Sequence, residues 1–272
     1  MEYLFILIIR LFLLFLAYSF IGWVCESAYC SIFEHKFVNR GFLTGPICPV
    51  YGFGALAVIG LLMPLRDNLP LLFVAGMIIT TVLEYITALL LEKLFHMKWW
   101  DYSRYKFNLH GRVCLLNSIE FGILSVIAVK LLHPAIKGLV DNIPSLAVIL
   151  LGCSLAALLL TDCAITVHTI AQFNGRLSQL TALLDEIKAK TEVYKTLAQQ
   201  NLSAKLEHLM EHENTRIVEA RETLERLKAK ADLLETRNKL LVRRLLAAFP
   251  DMTSVKHQPM LERIRLTIKN KK

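Results

Sequence analysis

The stretch YLFILIIRLFLLFLAYSFIGWV, residues Tyr3 to Val24, contains a single charged side chain, Arg10. A helix needs about 20 predominantly apolar residues to cross the hydrocarbon core of a membrane. This stretch is long enough, and the whole chain of 272 residues is 55% apolar with a mean hydropathy of +0.47. Soluble domains of this length have a lower apolar content. The sequence therefore predicts an integral membrane protein whose first span lies close to residue 1.

Four further segments have a similar composition, and they predict an all-α polytopic bundle of about five spans over residues 1–170. These segments are Val50–Leu65, Leu71–Leu91, Val113–Leu132 and Pro144–Val167. The first of them is short and begins inside the Gly/Pro-rich stretch Gly41–Gly54. It is either a full span entered by an ordinary loop or a broken helix that borders a cavity. Irregular backbone at membrane depth needs protein or water to satisfy its peptide groups.

The basic residues of the loops predict the orientation of this bundle. With five spans, the loops after the first and third spans lie on the same side of the membrane as the C-terminal tail, and they carry seven of the 11 Lys and Arg residues in positions 1–170. Cytoplasmic loops are enriched in Lys and Arg. We therefore expect the N-terminus outside the cell and the C-terminus in the cytoplasm.

The last 102 residues have a different character, with 20 Lys and Arg against 13 Asp and Glu and no cysteine. Residues spaced three and four apart form an apolar seam at Ile217, Ala220, Leu224, Leu227, Ala231, Leu234, Asn238, Leu241, Leu245 and Ala248. This spacing predicts a cytoplasmic coiled coil over residues 171–250, in which Asn238 is a buried polar position that fixes register. A second seam, starting at Leu177, loses phase between about Ala198 and Leu206, as in a stutter or a helix–turn–helix. A seam needs a partner helix, so we expect helix pairing or self-association, followed by a basic C-terminal end at 251–272.

Four carboxylates fall within the predicted spans or at their ends: Glu26, Glu84, Glu120 and Asp162. An ionisable side chain inside a membrane is costly and is a functional candidate by default. Because the four lie on separate spans, they either line one polar cavity open to the cytoplasm or each pair with a polar neighbour and hold the bundle together. In the first case, Arg112 is placed to neutralise one of them.

The loop FHMKWWDYSRYKFNLHG, residues 95–111, is both aromatic and charged. Trp and Tyr rings favour the headgroup region of a bilayer, and Lys and Arg are attracted to the anionic lipids of the inner leaflet. Binding to membrane lipids explains these residues. It does not explain Asp101, Asn108 or the following Arg112, which are therefore candidate functional residues.

The sequence lacks the motifs that are typical of several classes of enzyme and binding site. The chain has no GxxxxGK[ST] or GxGxxG motif, so it has no phosphate-binding loop of its own with which to hydrolyse ATP. Its six cysteines do not have the spacing of a zinc site or of a disulfide framework. The basic residues of the tail alternate with Glu, as on a solvated helix face. We expect no enzymatic activity, no metal or other cofactor, and no binding of nucleic acid.

Five stretches together are similar to one family of proteins. They are FIGWVCES (20–27), RGFLTGPICPVYGFG (40–54), TTVLEYITALLLEKLFHMKWWDYS (80–103), FNLHGRVCLLNSIEFG (107–122) and LLHP (131–134). On these stretches the chain resembles the ABC-transporter type IV family, also called the CmpB family, of bacterial multi-pass membrane proteins. The resemblance covers residues 1–170, not the tail, and Phe121 stands where the family pattern has a tryptophan. The motif positions that it marks include Glu26, Glu84, Asp101, Asn108 and Arg112.

This resemblance implies a location in the bacterial cell membrane and a permease-like component of an ABC-type transporter, without an ATPase of its own and with no substrate named. Such a component docks a separate ATPase or another partner protein. The alternative is a membrane-anchored scaffold or sensor that acts through its coiled-coil tail. A third, weaker hypothesis is a membrane enzyme that acts on lipid headgroups through Asp101 and His110.

Overall fold

The computed structural model describes residues 2–204, 212–236 and 240–269, and this part of the chain is almost entirely helical. Its α-helices in chain order are α1 (Glu2–Glu34), α2 (Pro49–Leu62), α3 (Leu69–Phe95), α4 (Leu115–Ile127), α5 (His133–Asp141), α6 (Ser145–Ala204), α7 (His212–Thr236), α8 (Leu240–Ala248) and α9 (Gln258–Lys269). The prediction of an all-α fold rich in apolar helices is confirmed.

Among the described residues, four helical stretches are long and apolar enough to cross a membrane: Tyr3–Ile32, Leu69–Phe95, Leu115–Asp141 and Ser145–Leu197. The second predicted span corresponds to a shorter apolar helix, Pro49–Leu65, which ends in the 3₁₀ turn Met63–Leu65. Its shortness follows from the sequence, because Pro49 suits the first turn of a helix and Pro64 cannot extend its interior. The described ranges therefore contain four helices of spanning length and one short apolar helix.

Local signals set the ends of the third helix and the shape of the fourth. The side chain of Asn68 caps α3 by accepting a hydrogen bond from the backbone nitrogen of Leu71 at 3.2 Å, and His96 ends the helix in the left-handed conformation. A π-helical turn at Ala128–Leu132 joins α4 to α5. This wider turn directly precedes Pro134, whose ring would clash with the carbonyl one turn earlier in a regular helix.

The chain divides into two compact units. The first contains Met1–Ile170 together with Arg244–Val255, and the second contains Ala171–Arg243 together with Lys256–Lys272. Residues 244–255, which the sequence pattern places in the coiled coil and the basic end, thus return to the first unit. We call them the return segment.

The first unit has an apolar core built from five of its helices. Its buried members are Ile9, Leu13, Leu14, Tyr18, Val58, Ile59, Leu62, Leu72, Val129, Val140 and Val148. Helices α1 and α2 approach closely because Gly52 faces Ser19 and Phe15, where a Cβ atom would meet the Phe15 ring at 2.6 Å. Small residues at helix contacts are typical of membrane bundles, in which packing replaces the hydrophobic effect as the force between helices.

The strands of the described chain are four two-residue pieces. Strands β2 (Asn108–Leu109) and β3 (Val113–Cys114) form an antiparallel hairpin between α3 and α4. Strand β1 (Met97–Lys98) pairs antiparallel with β4 (Thr253–Ser254), so the return segment is hydrogen-bonded to the loop that follows α3.

The second unit is a small helical assembly in which two positions of each predicted seam are buried. Leu177, Leu180 and Leu261 are fully buried there, and Leu224 and Ala231 on α7 are 8% and 2% exposed. Asn238, the predicted register position, lies outside the described residues. The predicted phase break between about Ala198 and Leu206 falls partly within α6, which continues to Ala204, and partly outside the described residues. The last two seam positions, Leu245 and Ala248, are buried in the first unit instead.

Candidate functional site

The first unit contains a partly open cavity of about 630 Å³. Its wall is formed by α1, α2, α3 and α4, by the loops that follow α1 and α3, and by Phe249 of the return segment. Most of the lining side chains are apolar or aromatic, and a few polar groups stand among them. This size and composition are typical of small-molecule sites.

One polar cluster in the cavity wall centres on Glu26, near the end of α1. The guanidinium of Arg40 donates from Nε to Glu26 Oε2 at 3.0 Å, and the hydroxyl of Tyr51 donates to Glu26 Oε1 at 3.0 Å. Both carboxylate oxygens are therefore paired. The cluster joins α1, the loop after it and the first turn of α2.

A second polar cluster centres on Glu84, in the middle of α3 and 7% exposed. The amide of Asn117 on α4 donates to Glu84 Oε1 at 3.0 Å and to the Tyr102 hydroxyl at 2.7 Å. The Tyr102 hydroxyl also lies beside the Glu84 carboxyl group. Burial raises the pKa of Tyr102, and the nearby carboxylates of Glu84 and Glu26 raise it further, so this phenol stays neutral. Glu84 Oε2 has no partner in hydrogen-bonding geometry among the described residues.

The return segment contributes Phe249 to the cavity and is held by contacts along its length. Arg244 donates to the backbone oxygens of Gly41 at 3.2 Å and Phe42 at 3.1 Å. The Phe249 ring meets Trp99 edge-on at 5.1 Å, and the Arg40 guanidinium lies 4.8 Å above it. At the far end the segment pairs with β1 through β4. It thus forms one side of the cavity wall.

The Gly/Pro-rich loop between α1 and α2 is anchored by Asp162 on α6. The carboxylate accepts hydrogen bonds from the backbone nitrogens of Thr44 at 3.0 Å and Gly45 at 2.8 Å. Cys48, at the end of this loop, is 5% exposed, and burial raises the pKa of its thiol to about 12. Asp162 does not line the cavity; its contacts fix the loop that does.

The three candidate residues of the aromatic loop region form local contacts outside the cavity. Asp101 Oδ1 accepts hydrogen bonds from the hydroxyl and the backbone nitrogen of Ser103, which lower the pKa of Asp101. Asn108 bridges the hairpin by donating to the backbone oxygen of Tyr105 at 2.8 Å and accepting from the nitrogen of Gly111 at 3.0 Å. These contacts shape the loop.

Arg112 pairs with a carboxylate that the sequence analysis did not consider. Its Nη2 donates to Glu92 Oε2 at 2.7 Å, and its Nε donates to the same oxygen at 3.0 Å. The hydrogen bond with Glu92 raises the pKa of Arg112 above its ordinary value. Arg112 therefore neutralises Glu92 on α3, and none of the four carboxylates predicted for the cavity.

Of those four carboxylates, the structure brings two together in one cavity. Glu26 and Glu84 line it, whereas Asp162 holds a loop and Glu120 is exposed on α4, away from the cavity. Among the described residues, no group of three or more His, Cys, Asp or Glu side chains is placed to hold a metal ion.

Comparison with protein families gives one match. Residues 13–167 match the model of a family described as "Putative ABC-transporter type IV" (CmpB). The chain belongs to this family. Searches of the curated proteins and of the solved structures found no match. The resemblance seen in the sequence is thereby confirmed, and the protein is a transporter-like membrane protein.

The CmpB match covers most of the cavity wall but excludes the return segment, because it ends before Phe249. Several cavity residues were not among the candidate functional residues predicted from the sequence: Arg40, Tyr51, Trp99, Tyr102, Asn117 and Phe249. All but Phe249 lie inside the stretches that resemble the CmpB family, so those family motifs could have identified them as candidates. No motif indicated Phe249, because it comes directly after the predicted heptad seam, which suggested a place in the coiled coil and not in the cavity.

Proposed function

We propose that this protein is the permease-like component of a transporter, that it has no ATPase of its own, and that its cavity is the substrate site. The observation that carries the proposal is the cavity of about 630 Å³ inside an apolar helical unit, with carboxylates from two different helices in its wall. Apolar packing alone would leave neither a cavity of this size nor a buried carboxyl group, that of Glu84, beside the half-buried Glu26.

The proposed placement in the membrane has five spans, of which Pro49–Leu65 is the short one. The excess of Lys and Arg in the loops after α1 and α3 supports an N-terminus outside the cell and a C-terminus in the cytoplasm of a bacterium. In this orientation the loops that border the cavity, and the return segment, face the cytoplasm. The basic and aromatic residues of the loop after α3 would then contact membrane lipids.

The proposed partner is a separate ATPase or another cytoplasmic protein, since the chain has no phosphate-binding loop. We propose neither an enzymatic reaction, nor a cofactor, nor binding of nucleic acid. Purification of the tagged full chain from its own membranes in mild detergent, followed by mass spectrometry, tests for this partner. An ATPase subunit recovered in stoichiometric amount supports the proposal. Recovery of the chain without an ATPase or any other partner protein in stoichiometric amount contradicts the docking role.

The alternative is a membrane-anchored scaffold or sensor that acts through a coiled-coil tail. Exposed apolar side chains of the second unit favour it: Val193 is 53% exposed, Val218 54% and Leu240 81%. Such residues on a helical surface suit a partner helix or a second copy of the chain.

Two sets of variants separate these functions in cells from which the gene has been deleted. Glu84→Gln removes one charge from the cavity wall, while Leu227→Lys with Leu234→Lys disrupts the predicted seam. Complementation by the seam variant but not by Glu84→Gln supports the transporter. The opposite result supports the scaffold and contradicts the transporter. Membrane levels of each variant, measured by immunoblot, serve as the control.

A further inference from the structure

The acidic and basic groups in the cavity wall are unequal in number. Among the described residues that line it, Glu26 and Glu84 are acidic and Arg40 alone is basic. The Arg40 guanidinium is already engaged, because it donates to Glu26 at 3.0 Å and to the backbone oxygen of Ala248. The wall therefore retains one carboxyl group, that of Glu84, whose described hydrogen-bond partners are all neutral.

The carboxyl group of Glu84 is also incompletely hydrogen-bonded. Its side chain is more than nine-tenths buried, and Oε2 meets no donor in hydrogen-bonding geometry among the described residues. A buried carboxyl oxygen without a donor is destabilising, because it has lost its hydration and gained nothing in return. Because Glu84 is part of the cavity wall, a positive charge within the cavity would lie near this carboxyl group.

Aromatic rings surround the same space. Trp99, Trp100 and Tyr102 all line the cavity, and the faces of such rings attract cations. The indole nitrogen of Trp99, which is 3% exposed, has no acceptor among the residues that the structure describes.

We infer that the cavity binds an organic cation with an apolar body, its ammonium group beside the Glu84 carboxylate and the aromatic rings. This inference names the substrate class of the transporter proposed above and rests on that proposal. A metal ion suits the site poorly, because a single unpaired carboxylate supplies too few ligands. An anion also suits the site poorly, because the cavity wall contains the acidic residues Glu26 and Glu84, and the Arg40 guanidinium is already paired with Glu26.

A matched pair of ligands tests the charge preference without any variant. Dansylcadaverine has an aromatic body and a primary ammonium group, and its N-acetyl derivative has nearly the same shape without the charge. Binding of each to the full chain in lipid nanodiscs is measured by dansyl fluorescence, with empty nanodiscs as the blank. We expect the ammonium form to bind at least ten-fold more tightly, since hydrogen bonds to charged groups are worth more than neutral ones. Equal affinity for the two ligands, or tighter binding of the acetylated one, overturns the inference.

Substitution of Glu84 tests which residue is responsible. In Glu84→Gln the preference for the ammonium ligand should fall at least ten-fold, whereas Glu120→Gln, which changes an exposed carboxylate on α4, should retain it. A preference that survives in Glu84→Gln overturns the assignment to Glu84. Because the two-ligand comparison is made on the unaltered chain, the inference stays testable even if Glu84→Gln does not fold.

Transport of the same probes separates this inference from the proposed function. In proteoliposomes containing the chain and any ATPase that co-purifies with it, uptake of the ammonium form supports both. Glu84-dependent binding without uptake supports the cation site and counts against transport. Preferred uptake of an anionic dansyl carboxylate supports transport and overturns the cation preference.

Discussion

Replacement of Asp162 by alanine should loosen the loop between α1 and α2. In the structure, the Asp162 carboxylate accepts hydrogen bonds from the backbone nitrogens of Thr44 and Gly45 at 3.0 and 2.8 Å. Hydrogen bonds to a charged group contribute roughly 1.5–3 kcal/mol each. Because Asp162 is half-buried and water can replace part of this pairing, we expect a loss of about 2–4 kcal/mol in the free energy of unfolding.

Thermal unfolding of the full chain in detergent measures this loss. All three tryptophans of the chain, Trp23, Trp99 and Trp100, lie in the first unit, so their fluorescence reports on the unit that contains the loop. A loss of 2–4 kcal/mol corresponds to a fall in Tm of about 4–16 °C for a unit of this size. Asp162→Asn keeps one acceptor oxygen and should show a smaller fall.

Glu120→Ala is the matched control, because it removes an exposed carboxylate that no described hydrogen bond or ion pair involves; we expect a change within about 0.5 kcal/mol. A local readout is the thiol of Cys48, which is buried at the end of the loop and should react faster with maleimide in Asp162→Ala. An Ala variant with the Tm of the unaltered chain and with unchanged labelling of Cys48 would refute the anchoring role.

Three other predictions concern packing and loop contacts. Gly52→Ala should lower the Tm, because overpacking costs about 1–3 kcal/mol, whereas Gly60→Ala on the same helix has open space and should not. Arg112→Ala leaves a partly buried carboxylate unpaired and should reduce stability by about 1–3 kcal/mol, with Arg112→Lys intermediate in the same melting assay. Met97→Cys combined with Ser254→Cys should form a disulfide, visible as a gel shift that either single variant lacks. Met97 and Ser254 lie directly opposite each other and form a non-hydrogen-bonded pair, since the backbone hydrogen bond joins the neighbouring residues His96 and Val255. In an antiparallel ladder, the side chains of non-hydrogen-bonded pairs lie closest together.

The helices could be predicted from the sequence because membrane spanning is a local property of composition. Tyr3–Val24 lies inside α1, and the Gly/Pro-rich entry correctly indicated a shortened second apolar helix. The existence of acidic groups inside the spans was equally visible, and Glu26 and Glu84 do share one cavity.

What the sequence did not predict are the partners of these groups. The carboxylate of Asp162 binds backbone nitrogens, which every residue has, so no side-chain pattern signals the contact. Arg112 pairs with Glu92, and nothing in the spacing distinguishes Glu92 from the other carboxylates. At Leu245 and Ala248 the heptad pattern continues while the residues are buried in the first unit, because an apolar stripe specifies burial but not the surface that provides it.

The return segment also sets the order in which the protein is completed during synthesis. The helical part of the first unit that contains its apolar core is complete at residue 170, but Phe249 is made 79 residues later. At about 5–20 residues per second, translation needs about 4–16 s to cover that distance. Throughout this interval the newly inserted bundle has no Phe249 beside Trp99 and no partner strand for Met97 and Lys98. The cavity of a nascent chain is therefore an unfinished cleft until the return segment has left the ribosome.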